Sequence, residues 1–260
     1  MSGRIRTEKD GALGWIIFDS PRRRNAISGE MWRAIPEAVR ALDEDPEVRV
    51  LILRGAGDVA FVSGADISEF EHARTGDAAE AYDAENQRAV SALLHVGKPL
   101  LALIHGFCVG GGCAIALTAD LRYAADDGVF AIPAARLGLG YGAPGLEMLV
   151  SVVGIAAAKE IFFTAQRFDA TDALRLGLVN RVVPKADIDS FVRRIAEVIA
   201  ANAPLTLRSA KLVLRELMKP PTERDHGAIT ASIHACYSSA DYAEGVRAFL
   251  EKRAPRFRGV

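Results

Sequence analysis

Two short runs of small residues carry the chemistry this sequence can do. One is Gly110-Gly-Gly112, which follows the apolar segment Leu100 to Ile104 and opens an apolar helix ending near Asp120. The other is Ser63-Gly-Ala65, inside Ala60-Phe-Val-Ser-Gly-Ala-Asp-Ile67. Glycine has no Cβ, so a ligand can approach bare backbone there. A helix N-terminus adds unpaired N–H groups aimed at that ligand. Such a junction suits negative charge, either a bound anion or an oxyanion formed during reaction. Each run lies between a strand and a helix. Two such turns can present two N–H groups to one atom.

Other chemistries find less support. Cys108, Cys113 and Cys236 form no CxxC and no metal-site spacing, so no metal is expected. Cys108 and Cys113 flank the glycine turn, which raises a thiol nucleophile, but buried free cysteines are commonly small core residues. Gly138-Leu-Gly140 invites a nucleotide-binding reading. Its third glycine is out of register and Pro144 interrupts the helix that the fingerprint needs. Pro21-Arg-Arg-Arg-Asn25 reads either as a solvated turn or as a phosphate contact.

The totals bound the answer. A chain of 260 residues suits one large domain, or a domain with a smaller appendage. The net charge of −1 gives no general attraction to nucleic acid or to acidic membranes. No apolar run has the length of a membrane span, and MSGRIRTEKDG has no signal-peptide core. The cysteine usage fits a reducing compartment, so a cytoplasmic protein is expected.

Strands are expected at Ile5 to Asp10, Leu13 to Asp19, Val48 to Leu53, Leu100 to Ile104, Leu121 to Ala125, Val129 to Ile132 and Leu178 to Val183. Ser28 is a candidate N-cap for a helix reaching about Glu44, with Met31, Ile35, Ala38 and Leu42 on its apolar face. Further helices are expected at Ala78 to Leu94, Ile155 to Phe163 and Thr171 to Leu176. Beyond residue 185 the pattern becomes helical throughout: Asp187 to Ala201, Pro204 to Leu217, Glu223 to Tyr237 and Asp241 to Arg253. A strand-rich core over 1–185 and a helical region over 186–260 follow. The amphipathic tail is a candidate for self-association.

In order and spacing these segments resemble the crotonases, the enoyl-CoA hydratase/isomerase superfamily. The resemblance rests on Asn25-Ala26 after a basic loop, Phe61 to Ile67, His105-Gly106, Gly110 to Cys113, Ala119-Asp120, Phe130 to Gly138, Gly177 to Asn180 and Glu244 to Arg253. It implies an α/β fold, a spiral of β–β–α turns with a C-terminal helical trimerisation region. It also implies an acyl-CoA substrate and a homotrimer or a dimer of trimers. Coenzyme A would enter only as part of the substrate, with no separate cofactor. The thioester oxygen would sit between the backbone N–H groups of Ala65 and Gly111. CoA contacts would come from Arg22, Arg24 and Ala26, from the backbone at Ala65, Asp66 and Ile67, and from Phe249 and Lys252.

The sequence departs from the family where protons must move. Hydratases of this family use two glutamates, and the matching positions here are Ala114 and Ala134. A third position, an aspartate in several branches, is Gly142. Glu147 and Tyr141 are the remaining candidates near the site. Glu69 and His72 are further candidates that would overhang the pocket, while Asp66 and Asp120 read as structural. The expected function is therefore an acyl-CoA enzyme that stabilises a thioester enolate, nominally an enoyl-CoA hydratase. An isomerase, decarboxylase, thioester hydrolase or non-catalytic acyl-CoA-binding homologue is the alternative.

Overall fold

The computed structural model describes residues 3–66 and 77–260. Ile67, Glu69 and His72 lie outside the described residues.

The chain opens with an antiparallel hairpin, β1 (Arg4–Asp10) and β2 (Leu13–Asp19), turning at Gly11 with φ +57°. Helix α1 (Gly29–Glu44) follows, and its N-cap Ser28 accepts from the Met31 N–H at 3.3 Å. A three-part unit then recurs. Strand β3 (Val50–Gly55), short strand β4 (Ala60–Val62) and helix α2 (Asp77–Leu94) form the first. The second is β5 (Leu100–Ile104), β6 (Phe107–Val109) and α3 (Gly111–Thr118). The third is β7 (Leu121–Ala125), β8 (Val129–Ala131) and α4 (Ala143–Thr164). Strand β9 (Phe168–Asp169), helix α5 (Ala170–Arg175) and strand β10 (Arg181–Val183) complete the core.

The first strand of each unit enters one sheet and the second strand another. The six-stranded sheet has the order β1-β2-β3-β5-β7-β10 and is parallel from β2 onward. The four-stranded sheet has the order β4-β6-β8-β9. This is the β–β–α spiral that the resemblance implies. Strand β5, in the middle of the large sheet, is apolar at every position because both faces are covered. Ile16, Phe18, Leu51, Leu53, Leu100 and Ala102 pack against α1 to α4. Their alternates Trp15, Ile17, Val50, Ile52, Leu101 and Leu103 join Ile188, Val192 and Ala196 of α6 (Ile188–Ala200) on the other face. The division at 185/186 thus falls just before a helix that packs into the second core. Helices α7 (Pro204–Leu217), α8 (His226–Tyr237) and α9 (Ala240–Leu250) form the C-terminal layer. Buried Asp241 draws the chain end onto this layer, accepting from the N–H groups of Arg258 and Gly259 at 2.7 and 2.8 Å.

Several elements differ from the sequence expectation. Helix α4 starts twelve residues before Ile155. Pro144 falls in its first turn, where the missing N–H costs no bond, and Gly154 absorbs a kink at φ +77°. Helix α8 starts at His226 because Asp225 caps it, accepting from the Ala228 N–H at 2.8 Å. Strand β10 begins only at Arg181, since Asn180 is held in a turn by the Arg122 N–H at 2.7 Å. Among the described residues no helix is long and apolar enough to cross a membrane.

An ion-pair cluster holds the first turn of α6 on the sheet. His105 is buried, and its Nε2 donates to Asp189 at 2.9 Å while Arg54 donates to the same carboxylate at 2.8 Å. The hydrogen bond from His105, then the Arg54 charge, hold the Asp189 carboxyl below its ordinary pKa. A depressed folded-state pKa contributes stability above the ordinary aspartate value, lost as pH falls through the folded value. Asp189→Asn is expected to lower stability at pH 7 by about 1–2 kcal/mol, because half the side chain faces solvent. The deficit should shrink toward pH 3 in urea titrations, and a constant deficit across that range would contradict the assignment.

Candidate active site

The two small-residue runs meet where the second sheet joins α3. Strand β4 pairs with β6, which brings Ser63-Gly-Ala65 beside Gly110 to Gly112. The bridge between Ile27 and Ala65 sets the direction of the Ala65 amide. Ile27 N donates to Gly64 O at 2.9 Å, and Asp66 N donates to Ile27 O at 2.8 Å. Flanked in this way, Ala65 points its own N–H to the opposite side. Gly111 is the first residue of α3, so its N–H has no partner within the helix. Among the described residues no acceptor is found for either amide. A Cβ built on Gly111 would lie 3.7 Å from Ala65 N. Both amides therefore border one small space, which only a glycine at 111 leaves open.

The other glycines make that approach possible. Gly110 adopts φ +53° and Gly64 φ +114°, left-handed conformations that favour glycine. Gly112 packs directly on β4, where a Cβ would lie 2.1 Å from Val62 O. The indole of Trp32 closes the underside, with Cζ2 and Cη2 at 3.4 and 3.8 Å from the Gly111 Cβ position. Its Nε1 donates to the Tyr82 hydroxyl of α2 at 3.2 Å. Neither aromatic was singled out from sequence. Trp32 sits beside the expected Met31 stripe on α1, and that extra bulky apolar residue was the available signal.

The basic loop is fastened to the same place. Buried Asn25, at φ +56°, accepts from Ser20 N at 3.0 Å and donates to Ala56 O and Ala60 O at 3.0 and 2.8 Å. Ser63 N donates to Arg24 O at 3.1 Å, and Ser63 Oγ to Arg23 O at 3.2 Å. Arg23 pairs with Asp66. Arg24 lies over the Phe107 ring, its Cζ 4.6 Å from the centroid. Arg22 is exposed on the same loop, and Ala26 is half-buried between Asn25 and the Ile27 bridge. Phe249 and Lys252 are not brought here within one chain. Phe249 is 84% exposed on α9, beside Val246 and Leu214 in an apolar groove, and Lys252 follows the end of that helix with φ +54°.

The proton-transfer positions are bare. Ala114 is half-buried on α3, Ala134 is buried, and Gly142 caps α4. Glu147 is exposed near the start of α4. Tyr141 is half-buried, edge-on to Phe162 at 5.3 Å. The thiols are poor nucleophile candidates. Cys108 and Cys113 are buried, burial pushes the Cys108 thiol up, and Cys113 donates to Cys108 O at 2.9 Å.

These contacts separate two adjacent glycines experimentally. Gly112→Ala is expected to cost about 3 kcal/mol or more, or to prevent folding, because the Val62 carbonyl is backbone and cannot yield. Gly111→Ala meets only ordinary contacts and should fold within about 1 kcal/mol of wild type. Equal losses for the two in urea unfolding would contradict this geometry.

Comparison with known proteins agrees over nearly the whole chain. The family model described as enoyl-CoA hydratase/isomerase matches residues 8–260. A crotonyl-CoA hydratase of Syntrophomonas wolfei is 34% identical over 250 residues, covering 96% of each chain. A peroxisomal Delta(3,5)-Delta(2,4)-dienoyl-CoA isomerase of Arabidopsis thaliana is 33% identical, covering 97% of this chain and 95% of its own. The crystal structure of an enoyl-CoA hydratase/carnithine racemase from Magnetospirillum magneticum superposes with a TM-score of 0.94 at 36% identity, covering 98% of this chain and 96% of that one. With its spiral of β–β–α units and these matches, the chain belongs to the enoyl-CoA hydratase/isomerase family, the crotonases.

Proposed function

We propose that this protein is an acyl-CoA enzyme that stabilises a thioester enolate between the N–H groups of Ala65 and Gly111. The observation that carries this reading is the single space bordered by those two amides. A thioester oxygen placed there gains negative charge as the enolate forms. Fixed donors beside an apolar indole then stabilise it without reorganising. The nominal reaction is hydration of a 2-enoyl-CoA, in which water adds OH at Cβ and a proton at Cα. The names of the relatives support acyl-CoA chemistry of this kind.

Hydration needs a group to handle those protons, and general acid–base catalysis contributes roughly 10²–10⁴-fold. Glu147 and Tyr141 are the candidates of this chain. The alanines at 114 and 134 also favour a second reading. Loss of CO₂ from a carboxylated acyl-CoA generates the enolate without a base. A non-catalytic acyl-CoA-binding role accounts for the same alanines.

Turnover of crotonyl-CoA, 3-hydroxybutyryl-CoA and methylmalonyl-CoA decides among these. In each case Gly111→Ala should reduce kcat about 10²–10³-fold while folding normally. Glu147→Gln should abolish hydration if Glu147 moves the proton, and an unchanged rate removes it from the mechanism. CoA binding without turnover of any substrate would leave only the binding role for these acyl groups.

The basic loop at Arg22 and Arg24, with Ala26 and the Ala65–Asp66 backbone, is assigned to the CoA end. Ile67 belongs to the same proposal. Phe249 and Lys252 are assigned to the CoA of a neighbouring subunit. An apolar surface on α7 to α9, including Leu214, Tyr237, Val246, Phe249 and Leu250, supports assembly as a trimer or a dimer of trimers. Val246→Asp should lower the mass seen by light scattering to that of a monomer and raise KM for the CoA ester. A monomeric wild type would overturn the assembly.

A further inference from the structure

One short segment of chain touches both amides. Ile27 makes the bridge to Ala65. Ser28 then caps α1, its Oγ accepting from the Met31 N–H at 3.3 Å and its carbonyl from the Trp32 N–H at 3.0 Å. Trp32 is thereby fixed one helical turn from the bridge that orients Ala65. Its side chain is buried, and Cζ2 lies 3.4 Å from the Gly111 Cβ position, itself 3.7 Å from Ala65 N. The indole has one polar atom, and a buried indole N–H needs an acceptor. Buried Tyr82 of α2 supplies it, accepting from Nε1 at 3.2 Å. That bond fixes the rotation of the ring, so the edge meeting Gly111 is the carbon edge Cζ2–Cη2. A carbon edge offers no acceptor, which leaves both amides unspent. Helix α2 packs along α1, so the hydroxyl and the indole are held by two elements that share one core.

We propose that Tyr82 is a positioning residue for the enolate, holding the Trp32 indole as a carbon wall against the Ala65–Gly111 space. Tyr82 does not touch the thioester and acts through Trp32. Donors stabilise developing charge best when fixed and shielded from water, because the low local dielectric strengthens each interaction. An indole released from Tyr82 has a buried N–H without a partner, which is costly. It turns to recover one, admits water beside the amides and removes the support under the first residue of α3. A neutral thioester oxygen carries little charge, whereas the enolate oxygen carries most of one. Loss of the wall therefore falls on the enolate and spares the neutral ester. A role in packing alone would weaken both alike. This assignment rests on the acyl-CoA reading above and names what keeps its oxyanion space in shape.

The test compares two CoA esters on the full-length protein. Butyryl-CoA stays neutral. Acetoacetyl-CoA loses a Cα proton to solvent and becomes an enolate with its own near-ultraviolet absorbance. Titration of that absorbance against pH gives the affinity for the enolate, and calorimetry gives the affinity for butyryl-CoA. The wild type is expected to lower the apparent pKa of bound acetoacetyl-CoA below that of the free ester. Tyr82→Phe should weaken enolate binding about two- to tenfold, the worth of one hydrogen bond, and leave butyryl-CoA within about twofold. Trp32→Leu should weaken enolate binding about ten- to a hundredfold. Tyr82→Phe keeps the ring in the core and decides the matter if Trp32→Leu does not fold. An enolate affinity that Tyr82→Phe leaves unchanged, or an equal loss for the two esters, overturns the positioning role and leaves the acyl-CoA reading standing. A wild type that binds both esters without favouring the enolate overturns the oxyanion reading and this role with it. Binding of neither ester removes the acyl-CoA reading itself.

Discussion

Helix α3 begins on top of the Val62 carbonyl, so near that a methyl group on Gly112 would lie 2.1 Å from the oxygen. That contact sets how far the first turn of α3 stands from the β4 strand end. It thereby sets the separation of the Gly111 and Ala65 amides. The small sheet supplies the rest of the constraint. The pairing of β4 with β6 carries Ser63 to Ala65 to the foot of the helix, while the Ile27 bridge turns the Ala65 N–H inward. Backbone groups held by backbone packing are poorly adjustable. That rigidity is what preorganised donors require.

The surrounding fastenings have the same character. Asn25 spends its side-chain amide on three backbone groups and leaves the arginine loop no freedom to drift from residues 56–60. Arg23 and Ser63 then tie that loop to the turn bearing Ala65 and Asp66. Charge near the site is thus divided. Arg23 is committed to a carboxylate, while Arg22 is exposed on the same loop with no carboxylate in ion-pair range among the described residues. A phosphate-bearing ligand would meet the second kind of arginine.

Polarity within the site is distributed unusually for acid–base chemistry. In the proposed reaction charge stabilisation would come from N–H groups, whereas the interior near them is methyl groups, an indole and a phenol. Among the described residues the Asn86 amide oxygen on α2 is one buried polar atom without a donor. The C-terminal layer adds a second asymmetry. Its chain end is tied down by Asp241, and Glu244 accepts from Arg247 and Arg253, yet Phe249 beside them stays open to solvent. The proposed assembly would cover that apolar face.

Much of the frame was legible in the residues. Leu13 to Asp19, Leu100 to Ile104, Leu121 to Ala125 and Pro204 to Leu217 have their expected bounds, because continuous apolar strands and an N1 proline are local signals. The start of α4 was not, since Pro144, Gly145 and Gly154 all read as breaks and only packing shows that just Gly154 bends. The two small-residue runs could be named from sequence because bare backbone requires glycine or alanine there. Their convergence, and the Trp32–Tyr82 contact between α1 and α2, could not. By itself the sequence determined which stretches could expose backbone N–H groups and which positions lacked carboxylates. Only the tertiary structure decided that Ala65 and Gly111 face one space with Trp32 beneath it, because strand pairing and helix packing join residues far apart in the chain.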